Sequence, residues 1–83
     1  MYKNRLADSN NRCGQKIAAL RKAHTPKLSQ RALADQMQLQ GLDLDKNAIQ
    51  RIEAGKRFVT DIELYVFAQF FGVTADELLG DDE

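Results

Sequence analysis

The 83-residue sequence contains one cysteine, one histidine and one proline, and this scarcity excludes several kinds of site. A lone cysteine cannot form a disulfide within the chain, and Cys13 with His24 cannot supply the ligands of a structural zinc ion, so both are expected to be structural. No apolar run approaches the roughly 20 residues of a membrane span, and no apolar signal-peptide core follows Met1. We therefore expect a cytoplasmic protein with no metal, no cofactor and no membrane partner.

Lysine and arginine are missing from the last third of the chain. Residues 58–83 contain seven acids and neither basic residue, which gives a formal charge of −7. Residues 1–57 contain all 12 lysines and arginines with five acids, which gives +7. A chain polarised in this way can present a basic face to a polyanion and an acidic face away from it. The alternative is that the two charges mix on the folded surface and the segregation has no function.

Capping residues and apolar spacing predict helices and no strand. The first three are predicted at residues 11–24, 29–38 and 46–54. Ser29 and Asp45 are good N-caps for the second and third, and Gly55 favours the left-handed conformation that ends a helix.

Two capping boxes, Thr60–Glu63 and Thr74–Glu77, begin a fourth and a fifth predicted helix. The fourth is expected to run to Gly72. The sequence therefore predicts one all-α domain at residues 11–80, preceded by a flexible segment at 1–10 and followed by an acidic tail at 81–83.

The third predicted helix has a polar face whose side chains suit DNA bases. At about 100° per residue, this face holds Lys46, Asn47, Gln50, Arg51 and Ala54. Lysine and arginine can donate to guanine, while asparagine and glutamine can pair with adenine. The alternative is an ordinary solvated helix face, which is the commoner case. However, the face has no acid except Glu53 at its border, and it lies between Arg31 and the Lys56–Arg57 pair.

Four motifs together resemble the Cro/C1-type (xenobiotic-response-element-like) helix-turn-helix family of bacterial and phage transcriptional regulators. They are Ser29-Gln30-x-x-Leu33-Ala34, Ile49-Gln50-Arg51-Ile52-Glu53-Ala54-Gly55-Lys56, Leu64-x-x-x-Ala68-x-x-Phe71-Gly72-Val73 and Asp76-Glu77-Leu78-Leu79. The likeness covers about residues 12–80, in the family's order. It implies a compact five-helix, lambda-repressor-like DNA-binding domain. Helices two and three would form the helix-turn-helix, with the third helix in the major groove.

The resemblance also implies roles for individual residues. Lys46, Asn47 and Arg51 fall at base-reading positions, with Gln50 as a neighbouring contact. Gln30 falls where the family contacts a phosphate. A further pair, Arg21 and Glu53, matches an ion pair that holds the third helix against the first.

Three basic residues near the third helix are further candidates for contacts to DNA phosphates, because phosphates neutralised by lysine and arginine supply most of the non-specific affinity for DNA. They are Arg31, Lys56 and Arg57. For the last two the alternative is simple solvation of a loop.

The linker Gln38–Leu44 departs from the family, because it is longer than the turn of three or four residues typical of the motif. We expect Leu39, Leu42 and Leu44 to place its apolar side on the core, with Gly41 supplying the bend.

The fourth predicted helix is apolar almost all round, which is more than one buried stripe needs. Ile62, Val66 and Phe70 fall on a side where the family more often has polar residues. This excess predicts a self-association surface and a homodimer that reads a palindrome. The alternative is a core that wraps this helix more fully.

Two functions follow as hypotheses, and a third, an enzyme, is weighed against them. The first is a sequence-specific DNA-binding transcriptional regulator, most simply a small repressor that occupies an operator in double-stranded DNA. The second is a protein-interaction module of the same fold, such as an antitoxin-like protein that binds a protein partner. An enzyme is not expected, because the sequence has no second histidine, no nucleophile elbow and no glycine-rich phosphate loop.

Overall fold

A computed structural model describes residues 9–80, and all regular elements in this range are helices. They are α1 (Gly14–Ala23), α2 (Gln30–Leu39), α3 (Lys46–Glu53), α4 (Asp61–Phe71) and α5 (Ala75–Leu79). The predicted all-α class is therefore confirmed for the described part of the chain. The predicted acidic tail and residues 1–8 of the predicted flexible segment lie outside it.

The predicted caps account for where most of these helices begin. The side chains of Ser29 and Asp45 accept backbone N–H groups of α2 and α3 at 3.0 and 2.8 Å. Both predicted capping boxes form, at Thr60 and Thr74. Each cap satisfies a donor that has no partner within its helix, so these boundaries are set by local chemistry.

Helix α1 begins at Gly14 rather than at residue 11. Ahead of it, the side chain of Asn11 turns its Oδ1 to accept the Gly14 N–H at 2.8 Å. This bond caps the helix from outside its first turn, and residues 11–13 form the approach to it.

The core lies where α1, α2 and α3 meet α4 and α5. Its fully buried large side chains are Ile17, Leu33, Met37, Leu44, Ile49, Ile52, Phe67 and Leu78. Helix α3 packs against both α1 and α2. Because Ile49 and Ile52 are buried on one side of α3, the opposite side of this helix faces outward.

The linker between α2 and α3 meets its prediction only in part. Leu44 is buried and Leu42 packs partly against the core, while Gly41 bends the chain with a φ of 93°. The expectation for Leu39 is wrong, because its side chain is 76% exposed. Leu39 ends α2 two positions after a buried methionine, which places it on the opposite side of the helix.

Candidate nucleic-acid interface

The exposed face of α3 carries all four residues expected to read bases. They are Lys46, Asn47, Gln50 and Arg51. Ala54, which ends the helix, is also exposed and adds no bulk to this face. Because Ile49 and Ile52 are fully buried, this side of α3 is anchored in the core while its polar side chains project into solvent. This geometry can present several hydrogen-bonding groups to one extended partner.

Two shallow depressions join this face to its surroundings. The first lies between α2 and α3 and is lined by Arg31, Ala34, Asp35, Gln38, Asp45, Lys46 and Asn47. The second follows α3 into the next turn and is lined by Asn47, Gln50, Arg51, Ala54 and Lys56. Asn47 belongs to both. The expected base-reading residues, Arg31 and Lys56 therefore form one continuous surface, which we call the α3 surface.

Two acids border the α3 surface and limit its positive charge. Asp45 turns its Oδ1 to the Ala48 N–H, at 2.8 Å. There the positive end of the helix dipole stabilises the carboxylate. Asp35 lies exposed on α2, beside the same depression as Arg31 and Lys46. The surface is thus basic along α3 and at both flanks, with acidic groups on its α2 edge.

An ion pair ties α3 to α1 beside this surface. Arg21 Nε lies 2.7 Å from Glu53 Oε2, and Arg21 Nη2 donates to Glu53 Oε1 at 3.1 Å. Another guanidinium N–H donates to the Leu28 carbonyl at 3.1 Å. The two charged side chains are only 13% and 8% exposed. The pair expected between these residues is therefore formed and nearly dehydrated, and it fixes the orientation of α3 on α1.

Gln30 has a contact that the sequence did not predict. Its Nε2 donates to Glu53 Oε1 at 3.0 Å, so the amide joins the same ion pair from α2. The phosphate contact expected of Gln30 stays a prediction. In the free protein this side chain instead links α2 with α3.

Arg57 is held within the protein rather than extended from it. Its Nη1 and Nη2 lie 3.0 and 3.2 Å from the two carboxylate oxygens of Glu63, and Nη1 also donates to the Phe58 carbonyl at 2.9 Å. Glu63 also accepts the Thr60 N–H of its capping box at 3.0 Å. Glu63 thus neutralises the guanidinium in the free protein, while the phosphate contact expected of Arg57 stays a prediction.

The Arg57–Glu63 pair predicts a pH-dependent stability. Burial alone would raise the pKa of Glu63, but hydrogen bonds from Arg57 and Thr60 and the charge of Arg57 hold it below 4.5. A folded-state pKa below the unfolded value stabilises the fold above the unfolded pKa. That stabilisation is lost as pH falls through the folded-state pKa. We expect Arg57→Met to lower the free energy of unfolding at neutral pH by about 1 kcal/mol.

Denaturant titrations from about pH 7 to about pH 2 would test this expectation. The difference in the free energy of unfolding between wild type and Arg57→Met should shrink in the acidic range, where Glu63 is protonated in both the folded and the unfolded state. Lys22→Met is the control, because it removes an exposed lysine of α1. It should change the free energy of unfolding little at any pH. A difference of constant size across the range would contradict the assignment to Glu63.

Helix α3 ends in a turn that its sequence predicted through Gly55. The glycine has a φ of 76°, the Gly55 N–H donates to the Ile52 carbonyl at 3.0 Å, and the Lys56 N–H donates to the Arg51 carbonyl at 2.8 Å. These are the two hydrogen bonds of a Schellman motif. They place Lys56 directly beyond the helix, at the edge of the α3 surface. We call residues 54–57 the Gly55 turn.

The expected self-association patch is only partly exposed. Ile62 is 66% exposed, whereas Val66 and Phe70 are half-buried against the core. The ring of Phe70 is covered in part by His24, which stacks on it at a centroid distance of 5.8 Å. Two other aromatic residues of this region, Phe58 and Tyr65, are exposed by 52% and 63%. The large hydrophobic side chains exposed in α4 and just before it are therefore Phe58, Ile62 and Tyr65.

Cys13 lies in the core, and no described residues around it suggest a metal centre. Burial raises the pKa of its thiol to about 11, so the group stays protonated at neutral pH. Within residues 9–80 no three histidine, cysteine, aspartate or glutamate side chains form a group that could hold a metal ion. Helices long and apolar enough to cross a membrane are likewise absent from this range.

No family model, curated protein or solved structure matches the chain. The resemblance to the Cro/C1-type family therefore rests on the sequence motifs alone. Function is best inferred from the chemistry of the α3 surface.

Proposed function

We propose that the chain is a sequence-specific DNA-binding transcriptional regulator of the Cro/C1 type. Helices α2 and α3 would form its helix-turn-helix, and α3 would enter the major groove of an operator. The observation that carries the proposal is the exposed face of α3, where four side chains able to read bases lie together. The simplest such regulator is a repressor that occupies its operator.

The dimensions and chemistry of α3 fit a DNA groove. An α-helix with its side chains is about 10–12 Å across, and the major groove of B-DNA is about 12 Å wide. Lys46 and Arg51 can donate to guanine O6 and N7, while Asn47 and Gln50 can each make two hydrogen bonds to adenine. Ala54 is small enough to let the groove wall approach the end of the helix.

Residues on either side of α3 would supply the contacts to phosphate. Arg31 lies exposed near the start of α2, and Lys56 lies exposed beyond the end of α3. The first N–H groups of α2 are a further donor set, because helix N-termini favour anions. Phosphate contacts fix the register of the protein, and they make its affinity fall with salt.

Selection of binding sites from random duplex DNA, followed by salt titration of the selected site, tests the proposal. We expect an enriched palindrome whose log affinity falls linearly with the log of the salt concentration. An Asn47→Ala/Arg51→Ala variant should lose the enrichment. If the wild-type protein enriches no sequence even at low salt, the proposal fails, and a protein-interaction module of the same fold becomes the better hypothesis.

A palindrome requires two copies of the domain, and the exposed side chains of Phe58, Ile62 and Tyr65 are the surface we propose for a second copy. Burial of one such side chain contributes about 1.5–3 kcal/mol. We therefore expect Ile62→Lys to raise the dimer dissociation constant by about tenfold or more. Analytical ultracentrifugation would measure this change.

Leu39→Lys is the matched control for this substitution. It places the same charge at a leucine that is also exposed, by 76%, but lies at the end of α2. This variant should dimerise like the wild type. Equal effects of the two lysines, or a wild-type protein that stays monomeric at high concentration, would contradict the proposed interface.

A further inference from the structure

The residues that precede α1 lie against the Gly55 turn, which the sequence did not predict. The Asn10 N–H donates to the Gly55 carbonyl at 2.8 Å, and Asn10 Nδ2 donates to the Lys56 carbonyl at 3.1 Å. Ser9 packs so closely that a Cβ atom added at Gly55 would lie 2.5 Å from its Oγ. Ser9 and Asn10 belonged to the predicted flexible segment, but here they contact the end of α3.

Asn11 makes the most extensive of these contacts through one side-chain amide. Its Nδ2 donates to the Ile52 carbonyl at 3.1 Å and to the Arg57 carbonyl at 2.8 Å, while its Oδ1 accepts the Gly14 N–H. The amide therefore joins the start of α1 to both sides of the Gly55 turn. The Ile52 carbonyl already accepts the Gly55 N–H, so the Asn11 amide adds a second donor to it.

Two details indicate a close fit between the start of α1 and the end of α3. A Cβ atom at Gly14 would clash with the Ile52 carbonyl oxygen, so a larger residue could not approach α3 this closely. Asn10 Oδ1 is buried and has no hydrogen-bond partner.

We propose that the side-chain amides of Asn10 and Asn11 are positioning groups for the Gly55 turn, and that they hold Lys56 ready to bind a DNA phosphate. This inference rests on the proposed DNA-binding function. Between them, the two amides bind the carbonyls of Ile52, Lys56 and Arg57, and so fix the backbone on both sides of Lys56. A turn held in this way loses less conformational freedom when Lys56 binds phosphate.

Asn11→Ser separates positioning of the turn from capping of α1. Serine is as good an N-cap as asparagine, and its hydroxyl can accept the Gly14 N–H, but it lacks the two amide donors. Gln15→Ser, at an exposed position in the first turn of α1, is the control for a serine in this region. Amide hydrogen exchange should become faster at Lys56 in Asn11→Ser and stay unchanged in the control.

Affinity for the selected DNA site should be measured for four proteins: wild type, Asn11→Ser, Lys56→Ala and the double variant. We expect Asn11→Ser to weaken binding by about fivefold, on the selected site and on its single-base variants alike. In the Lys56→Ala background the same substitution should change affinity by less than about twofold, because the group it positions is gone.

The outcomes distinguish a failure of the proposed positioning role from a failure of the proposed DNA binding. If wild type binds a selected site and Asn11→Ser binds as tightly, the inference is overturned while the DNA-binding proposal stands. An equal loss in both backgrounds would also overturn it, since a general structural defect does not depend on Lys56. If wild type selects no site, both proposals fail. Should Asn11→Ser not fold, Asn10→Ser, which removes only the bond to the Lys56 carbonyl, is tested in the same cycle.

Discussion

Replacement of Arg21 by alanine is expected to lower the free energy of unfolding by about 3 kcal/mol. The reason is the carboxylate of Glu53, which is only 8% exposed. Without Arg21 it would keep the neutral amide of Gln30, at 3.0 Å, but would have lost its counter-ion. A dehydrated charge without its counter-ion is strongly unfavourable, whereas the formed pair roughly offsets its own dehydration. Urea titration at neutral pH, followed by circular dichroism, would measure the loss.

Two further variants identify the cause of the loss. Lys22→Ala removes an exposed charge next to Arg21 in the chain and should change stability by less than about 0.5 kcal/mol. Arg21→Met/Glu53→Met removes both charges and keeps apolar volume, so it should recover much of the stability lost in Arg21→Ala. If the double variant is less stable than the single one, the cost does not come from an unpaired Glu53. If Arg21→Ala matches Lys22→Ala, the pair contributes little to the fold.

The features that the sequence predicts correctly are those set by neighbouring residues. Ser29, Asp45, Thr60 and Thr74 each begin a helix, because a side-chain oxygen at this position satisfies a nearby backbone donor. The outward face of α3 follows from the helical period and from two isoleucines on its other side. These rules need no knowledge of how the helices pack, so the helix order and the composition of the α3 surface are readable from the sequence.

The contacts that the sequence does not predict join different helices and loops rather than neighbours within one helix. Asn11 meets Arg57 only because α1 begins against the end of α3. Gln30 likewise reaches Glu53 from the neighbouring helix. Arg57 and Glu63 are close in sequence, yet a loop and a helix start lie between them, so no helical spacing connects them. Which polar side chains around α3 are held by other protein groups therefore depends on tertiary packing that the residue pattern does not contain.

Replacement of Arg51 by alanine is expected to reduce discrimination at one base pair of the selected site by about 1–3 kcal/mol. Arg51 lies exposed in the last turn of α3, beside Asn47 and Gln50. Its planar guanidinium can donate two hydrogen bonds to guanine O6 and N7, which no other base pair accepts with the same geometry. Affinities for the selected site and for each single-base variant would show which position loses its preference.

Arg51→Lys and Lys56→Ala show whether the arginine reads a base or only adds charge. Lysine keeps the charge and can still donate to guanine, but it lacks the planar fork. Arg51→Lys should therefore retain most non-specific affinity and lose part of the discrimination at the same base pair. Lys56→Ala should weaken binding to all sequences alike and reduce the salt dependence by about one charge. If Arg51→Ala behaves in the same way as Lys56→Ala, Arg51 binds phosphate. The base-reading part of the α3 surface would then reduce to Lys46, Asn47 and Gln50.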